Sequence, residues 1–151
     1  GGWLQEELIR NGLALWSGAA LYPPSLRSRL LAAEKEAREE RRGLWARFRI
    51  FKAEKPIEKK FDGQFVLVEG HILDVYRSAK VTYLNFGDDW RRDFTVAVSS
   101  RDRKNFAHES WKFRNLVHSW VLVRGILRFY NGPYLEISFP EQLEITRKAD
   151  G

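Results

Sequence analysis

The sequence contains no cysteine and no methionine. Without cysteine there are no disulfides, no thiol nucleophiles and no cysteine-bound metals. That absence fits the cytoplasm and the cell exterior alike. A translated chain begins with methionine, so a chain without one is expected to be a processed protein or a segment of a longer one. No apolar run approaches the ~18 residues a membrane span needs, so no membrane partner is expected. A glycine-rich phosphate loop is also missing. Ser99 and Ser100 have no histidine–acid signature beside them for nucleophilic catalysis. His71, His108 and His118 are scattered over different elements without metal-ligand spacing, so ordinary surface or core histidines are expected.

What is present is enough for a core. Of 151 residues, 44% are hydrophobic and 14% aromatic, which excludes wholesale disorder. The formal charge of +6 favours a polyanionic partner such as nucleic acid.

Trp3 to Arg10 reads as a short amphipathic helix, and Asn11-Gly12 stops it, because both residues tolerate left-handed backbone angles. "LALWSGAALYPP" reads as an irregular packed connection. Ser25 is the expected N-cap of a longer helix running to about Arg42, with Gly43 ending it. Leu26, Leu30, Ala33, Ala37 and Leu44 repeat on one face. Glu34–Arg38 and Lys35–Glu39 are expected as i,i+4 pairs on the outer surface. Residues 47–62 are basic, contain Pro56 and lack a period, and read as a linker with a short extended piece near Phe48 to Phe51.

From Gly63 the pattern changes to strands. "FVLVEGHILDVY" and "WVLVRGILRFY" are long and broken by Gly70 and Gly125, where sharp bends are expected. "VTYLNFG" and "DFTVAV" alternate, and "RKNFAHESWKF" suits a short helix. Asn131-Gly132 is a two-residue hairpin signal before "PYLEISF". Three strands, a helix, then two strands is the order of an OB-fold. The expected class is therefore α+β, an N-terminal helical segment plus a five-stranded OB-fold β-barrel. The expected divisions are a helical tail at 1–46, a linker at 47–62 and a barrel domain at 63–148.

The stretches "ELIRNGLALW" and "LLAAEKEAREERRGLW" share their residue types and spacing with a known pattern. They resemble the C-terminal helical segment of the staphylococcal-nuclease-like (thermonuclease) family, from about Leu4 to Trp45. In that family the helices pack on a preceding OB-type barrel. Its calcium-binding acids, a glutamate and two arginines cleave phosphodiesters. That barrel would lie before Gly1, so the resemblance places no catalytic residue, metal ligand or cofactor on this chain. Calcium belongs to the parent's barrel, and that missing nuclease barrel is an expected partner. The second part resembles the additional OB-type domain of some bacterial members, on the strand pattern around "YLNFGDDWRRDFTVAV".

Within that stretch, Asp88, Asp89 and Asp93 surround Trp90, Arg91 and Arg92. A hard divalent cation needs several convergent oxygens. The family's acidic turn is replaced here by Arg77, Ser78 and Lys80, and its strand arginine by Thr95. A charged hairpin tip is the expectation. Strand parity then nominates a basic-aromatic surface, since stacking platforms and cations bind single strands. Tyr83, Arg124, Arg128 and Tyr134 are expected to face outward, with Arg77 and Lys80 in the first loop. Trp90, Arg91 and Arg92 are added at the hairpin tip. Three readings follow. The first is a non-catalytic fragment whose OB-fold domain binds nucleic acid, single-stranded by preference, or supports the nuclease barrel. The second is a protein-docking module, and the third a metal-dependent phosphodiesterase active in the fragment itself.

Overall fold

The computed structural model describes residues 2–12, 23–46, 49–89, 91–106 and 112–149. The chain divides into two compact units, Gly1–Arg49 and Ile50–Gly151. Among the described residues no helix is long and apolar enough to cross a membrane.

The first unit holds helix α1 (Gly2–Arg10), helix α2 (Pro24–Glu39) and a 3-10 turn over Gly43–Ala46. Ile9, Leu30 and Ala33 form the seam, with Leu26 and Leu31 against it. Pro24 occupies the first helical position, where its missing N–H costs nothing and its fixed φ suits the helix. Ser25, the expected N-cap, therefore lies inside the first turn. The helix ends at Glu39 rather than Arg42, because Arg41 takes a left-handed φ of 53°. The N–H groups of Arg41 and Arg42 then bond back to the carbonyls of Arg38 (3.2 Å) and Ala37 (2.9 Å). This double return bond is a Schellman termination, with arginine in glycine's usual place.

Glu34 corrects a second expectation. It belongs to the buried stripe Arg27, Leu30, Glu34 and Ala37, and its carboxylate meets Arg38 at 3.3 Å with no exposed side-chain surface. The spacing of three and four residues places it in the seam rather than on the outer face. Gly12 (φ 72°) and Gly43 (φ 53°) meet backbone to backbone: a Cβ on Gly12 would lie 2.0 Å from the Arg42 carbonyl oxygen. The shared glycines of the quoted pattern thus fasten the end of α1 to the residues beyond α2. The "LALWSGAALYPP" connection falls outside the described residues from 13 to 22.

The second unit contains nine strands among the described residues: β1 (Phe51–Lys52), β2 (Phe65–His71), β3 (Asp74–Arg77), β4 (Val81–Asn85), β5 (Thr95–Ser99), β6 (Trp120–Ile126), β7 (Arg128–Tyr130), β8 (Gly132–Glu136) and β9 (Leu143–Arg147). They form two mixed sheets, ordered β1-β2-β6-β9 and β3-β4-β5-β8-β7, and no closed barrel. The first long strand expected from sequence breaks at Ile72–Leu73, not Gly70, and the fourth breaks at Leu127, not Gly125. At each break the chain passes from one sheet to the other.

The apolar parities meet in one core that includes Val68, Leu84, Val96, Val123, Leu135 and Ile137. Residues 49–62 take part as well. Phe51 lies on β1, which pairs parallel with β2, and Phe51, Ala53 and Ile57 are buried in this core. Of the helix expected over "RKNFAHESWKF", the ends lie in 3-10 turns at Ser100–Phe106 and Phe113–Leu116, and 107–111 lie outside the described residues.

Candidate functional site

The outer face of the five-stranded sheet is concave and encloses a cavity of about 680 Å³. Its shape follows from residue size along the strands. Central β5 contributes only Thr95, Ala97 and Ser99 to the floor. Tyr76 and Tyr83 rise on one flank and Tyr130 and Tyr134 on the other. Register fixes two rows across the sheet. One runs Asp74–Asn85–Thr95–Tyr134–Arg128, and the other Tyr76–Tyr83–Ala97–Glu136. Residues two apart on a strand share a face, so both rows open onto the same side.

Among the described residues three carboxylates, Asp74, Asp93 and Glu136, line the cavity, and no lysine or arginine does. Cations stand at its margins. Lys80 is exposed in the β3–β4 turn, Arg91 and Arg92 are exposed in the β4–β5 loop, and exposed Arg128 sits at the β7 edge beside Tyr134.

Both loops are built by side-chain bonds to backbone. Ser78 Oγ accepts the N–H groups of Lys80 (3.3 Å) and Val81 (3.1 Å), which closes the β3–β4 turn. Arg103 braces it by donating to the Ser78 carbonyl (2.5 Å) and to Thr82 Oγ1 (3.1 Å). In the β4–β5 loop, Asp93 Oδ2 accepts the Asp89 N–H (2.9 Å) and Asp89 Oδ1 accepts the Arg91 N–H (3.1 Å). Arg92 Nε lies 3.7 Å from Asp89. Two of the three acids at the hairpin tip are therefore occupied in holding the loop. Among the described residues no group of three or more His, Asp or Glu could hold a metal ion. This loop also touches the β7–β8 turn. A Cβ on Gly132 would lie 2.8 Å from the Arg92 carbonyl, so only glycine permits the approach. Asn131 makes the turn itself at φ 66°.

The nominated residues divide accordingly. Tyr83 and Tyr134 line the cavity, and Arg128 stands beside Tyr134 at the edge. Lys80, Arg91 and Arg92 are at its margins. Arg77 is exposed but shares the parity of buried Val75 rather than Tyr76, so it stands off the face. Arg124 corrects the parity argument outright: it is 1% exposed. β6 is buried on both sides, through Leu122 and Arg124 as well as Val121 and Val123, so alternation on it does not alternate exposure. Trp90 lies outside the described residues. Tyr76 and Tyr130 were missed. Their signals were the alternation Asp74-Val75-Tyr76 and the position of Tyr130 immediately before the Asn-Gly turn.

Two features lie elsewhere. His71 and His118, expected apart, stack with ring centroids 5.7 Å apart, and His71 tilts against Trp120 at 5.1 Å. In the helical unit Arg10 joins Glu6 (2.9 Å), Glu7 (3.5 Å) and Glu36 (3.1 Å), and Glu6 also meets Arg29 at 2.6 Å. The hydrogen bond from Arg10 is the chief cause that holds the Glu6 carboxyl below its usual value, with the nearby charges of Arg29 and Arg10 adding to it against desolvation. The same contact raises Arg10.

Residues 2–47 match the family described as staphylococcal nuclease homologue, the stretch over which the sequence pattern predicts that resemblance. No curated protein matches the chain. Among solved structures, asparaginyl-tRNA synthetase from Pyrococcus horikoshii is similar at 19% identity and TM-score 0.45, over 62% of this chain and 22% of that one. Aspartyl-tRNA synthetase from Entamoeba histolytica gives 11% identity and TM-score 0.45, over 64% and 22%. The OBody AM1L10, solved bound to hen egg-white lysozyme, gives 20% identity and TM-score 0.42, over 61% and 88%. The chain thus spans about a fifth of the synthetases' length.

Proposed function

We propose that the second unit is an OB-type module that binds single-stranded nucleic acid across the tyrosine face, attached to a nuclease-homologue tail. The observation that carries this is the set of four tyrosines, Tyr76, Tyr83, Tyr130 and Tyr134, around a floor of small residues on one concave sheet. Each tyrosine offers a flat ring with two rotatable bonds, on which any base can stack. Phosphates are left to Lys80, Arg91, Arg92 and Arg128 at the margins, where they are not opposed by the acids of the floor. On this reading the unit is non-catalytic and carries no cofactor. Phosphodiester hydrolysis and its calcium belong to a nuclease barrel on the same polypeptide, which the helical unit serves as tail.

A fluorescence titration with a labelled single-stranded oligonucleotide at about 50 and about 200 mM salt tests this, since phosphate contacts weaken steeply with salt. Tyr83→Ala and Tyr134→Ala should each weaken binding by about 1–3 kcal/mol. Absence of salt-sensitive binding at tens of micromolar protein would sink the proposal.

A second reading is a docking face for a cationic protein segment, favoured by the three carboxylates and the lack of lysine or arginine in the cavity. Guanidinium groups would meet both tyrosine faces and acids there. An arginine-rich peptide that binds while the oligonucleotide does not would select it.

A further inference from the structure

We propose that Asp74 and Glu136 make this face selective for bases that carry an exocyclic amine (cytosine, adenine and guanine) over uracil and thymine. The proposal rests on the single-strand reading above and names what that site prefers.

Tyr83 and Glu136 lie in one row with Ala97 between them. Adjacent strands are ~4.8 Å apart, so Glu136 stands ~10 Å from Tyr83 across a methyl-sized floor. A base stacked on Tyr83 and lying over Ala97 turns its far edge toward Glu136. On the opposite flank, Asp74 is two residues from Tyr76 on the same strand face, within reach of the edge of a base on that ring. Both acids are exposed, and neither has an ion pair among the described residues. Asp93, by contrast, is already held by the Asp89 N–H.

A carboxylate only accepts hydrogen bonds. It meets the N4 amine of cytosine, the N6 amine of adenine or the N2 amine of guanine favourably, whereas the single donor of a uracil or thymine edge, N3–H, is flanked by two carbonyl oxygens that it repels. Among the described residues no lysine or arginine lines the cavity to reward an acceptor edge instead. The neutral groups present, Asn85, Thr95 and Ser99, serve donors and acceptors alike. Among the described residues the acids therefore supply the directional preference on the floor, while the marginal cations hold phosphates of every sequence equally.

The test uses the full chain and two labelled single strands of about 12 nucleotides, oligo-dC and oligo-dU, which share a backbone and differ in the pyrimidine edge. The expected result is binding of oligo-dC about tenfold tighter than oligo-dU. The double substitution Asp74→Asn, Glu136→Gln, at exposed positions outside the core, should bring the two within about twofold, because amides present both donor and acceptor. Equal binding of the two strands by the native chain overturns this inference and leaves the single-strand reading standing. A preference that survives the double substitution overturns it as well. Binding of neither strand overturns the single-strand reading itself, and this inference with it.

Discussion

At Gly12 a methyl group would lie 2.0 Å from the Arg42 carbonyl oxygen, and at Gly43 2.4 Å from that of Gly12. No rotamer can relieve either contact, because both partners are backbone. Gly12→Ala should therefore destabilise the helical unit by at least about 2 kcal/mol, combining a left-handed backbone for alanine with a backbone collision. The urea midpoint of the far-UV helical signal measures this. Glu6 makes a second prediction. Its folded pKa is held below the ordinary 4.5, so its contribution to stability is complete above that value and is lost as pH falls through the lowered pKa. Amide protection in α1 should fall on acidification below 4.5, and Glu6→Gln should flatten that dependence. Sequence showed Gly12 and Gly43 as helix stops but not as partners. Their meeting joins segments thirty residues apart, and no local pattern encodes it. Glu34 was hidden for a related reason: a charged residue in an apolar stripe reads as surface until its partner is seen.

The β3–β4 turn illustrates what is legible in an element. Arg77, Ser78 and Lys80 were expected at this turn, but Arg103, which braces it from the Ser100–Phe106 segment, did not show in the sequence. Arg103→Ala removes both hydrogen bonds and should cost about 1 kcal/mol for each. Faster hydrogen exchange at the amides of Lys80 and Val81, with unchanged exchange in β2 and β6, would register it. Strand parity found Tyr83 and Tyr134 because β4 and β8 each turn one face to the core and one to solvent. It failed for Arg124 because β6 is buried on both sides. Within 47–62 the extended piece expected near Phe48 to Phe51 has its counterpart in β1, but the burial of Ile57 did not show, because β1 is only two residues long and leaves no period to detect.

Over the whole molecule the charge of +6 suggested a polyanion, yet the concave face has acids on its floor and cations only at its margins. Composition cannot reveal that separation, since it depends on which residues the register brings together. It has a measurable sign. Each single-strand phosphate contact adds about 0.7 to the slope of log affinity against log salt. Replacing both Arg91 and Arg92 by alanine should therefore lower that slope by at most about 1.4, with similar loss for every sequence bound. The family resemblance was legible at the residues that carry it, and the two-sheet arrangement only in outline. Strand-forming segments were visible in sequence, but their division into the nine described strands and the positions at which they cross from one sheet to the other were not.

On the proposed single-strand reading, the separation of acids from cations also sets a lower limit on ligand length. A free mononucleotide carries its phosphates within one sugar of its base, so a base stacked on Tyr83 with its far edge toward Glu136 would leave them on the Asp74 side of the floor. A polymer can leave its bases on the floor while its backbone runs on toward Arg128 or the β4–β5 loop. On the proposed single-strand reading, such a face would act as a length gauge, favouring chains long enough to reach the rim over free nucleotides.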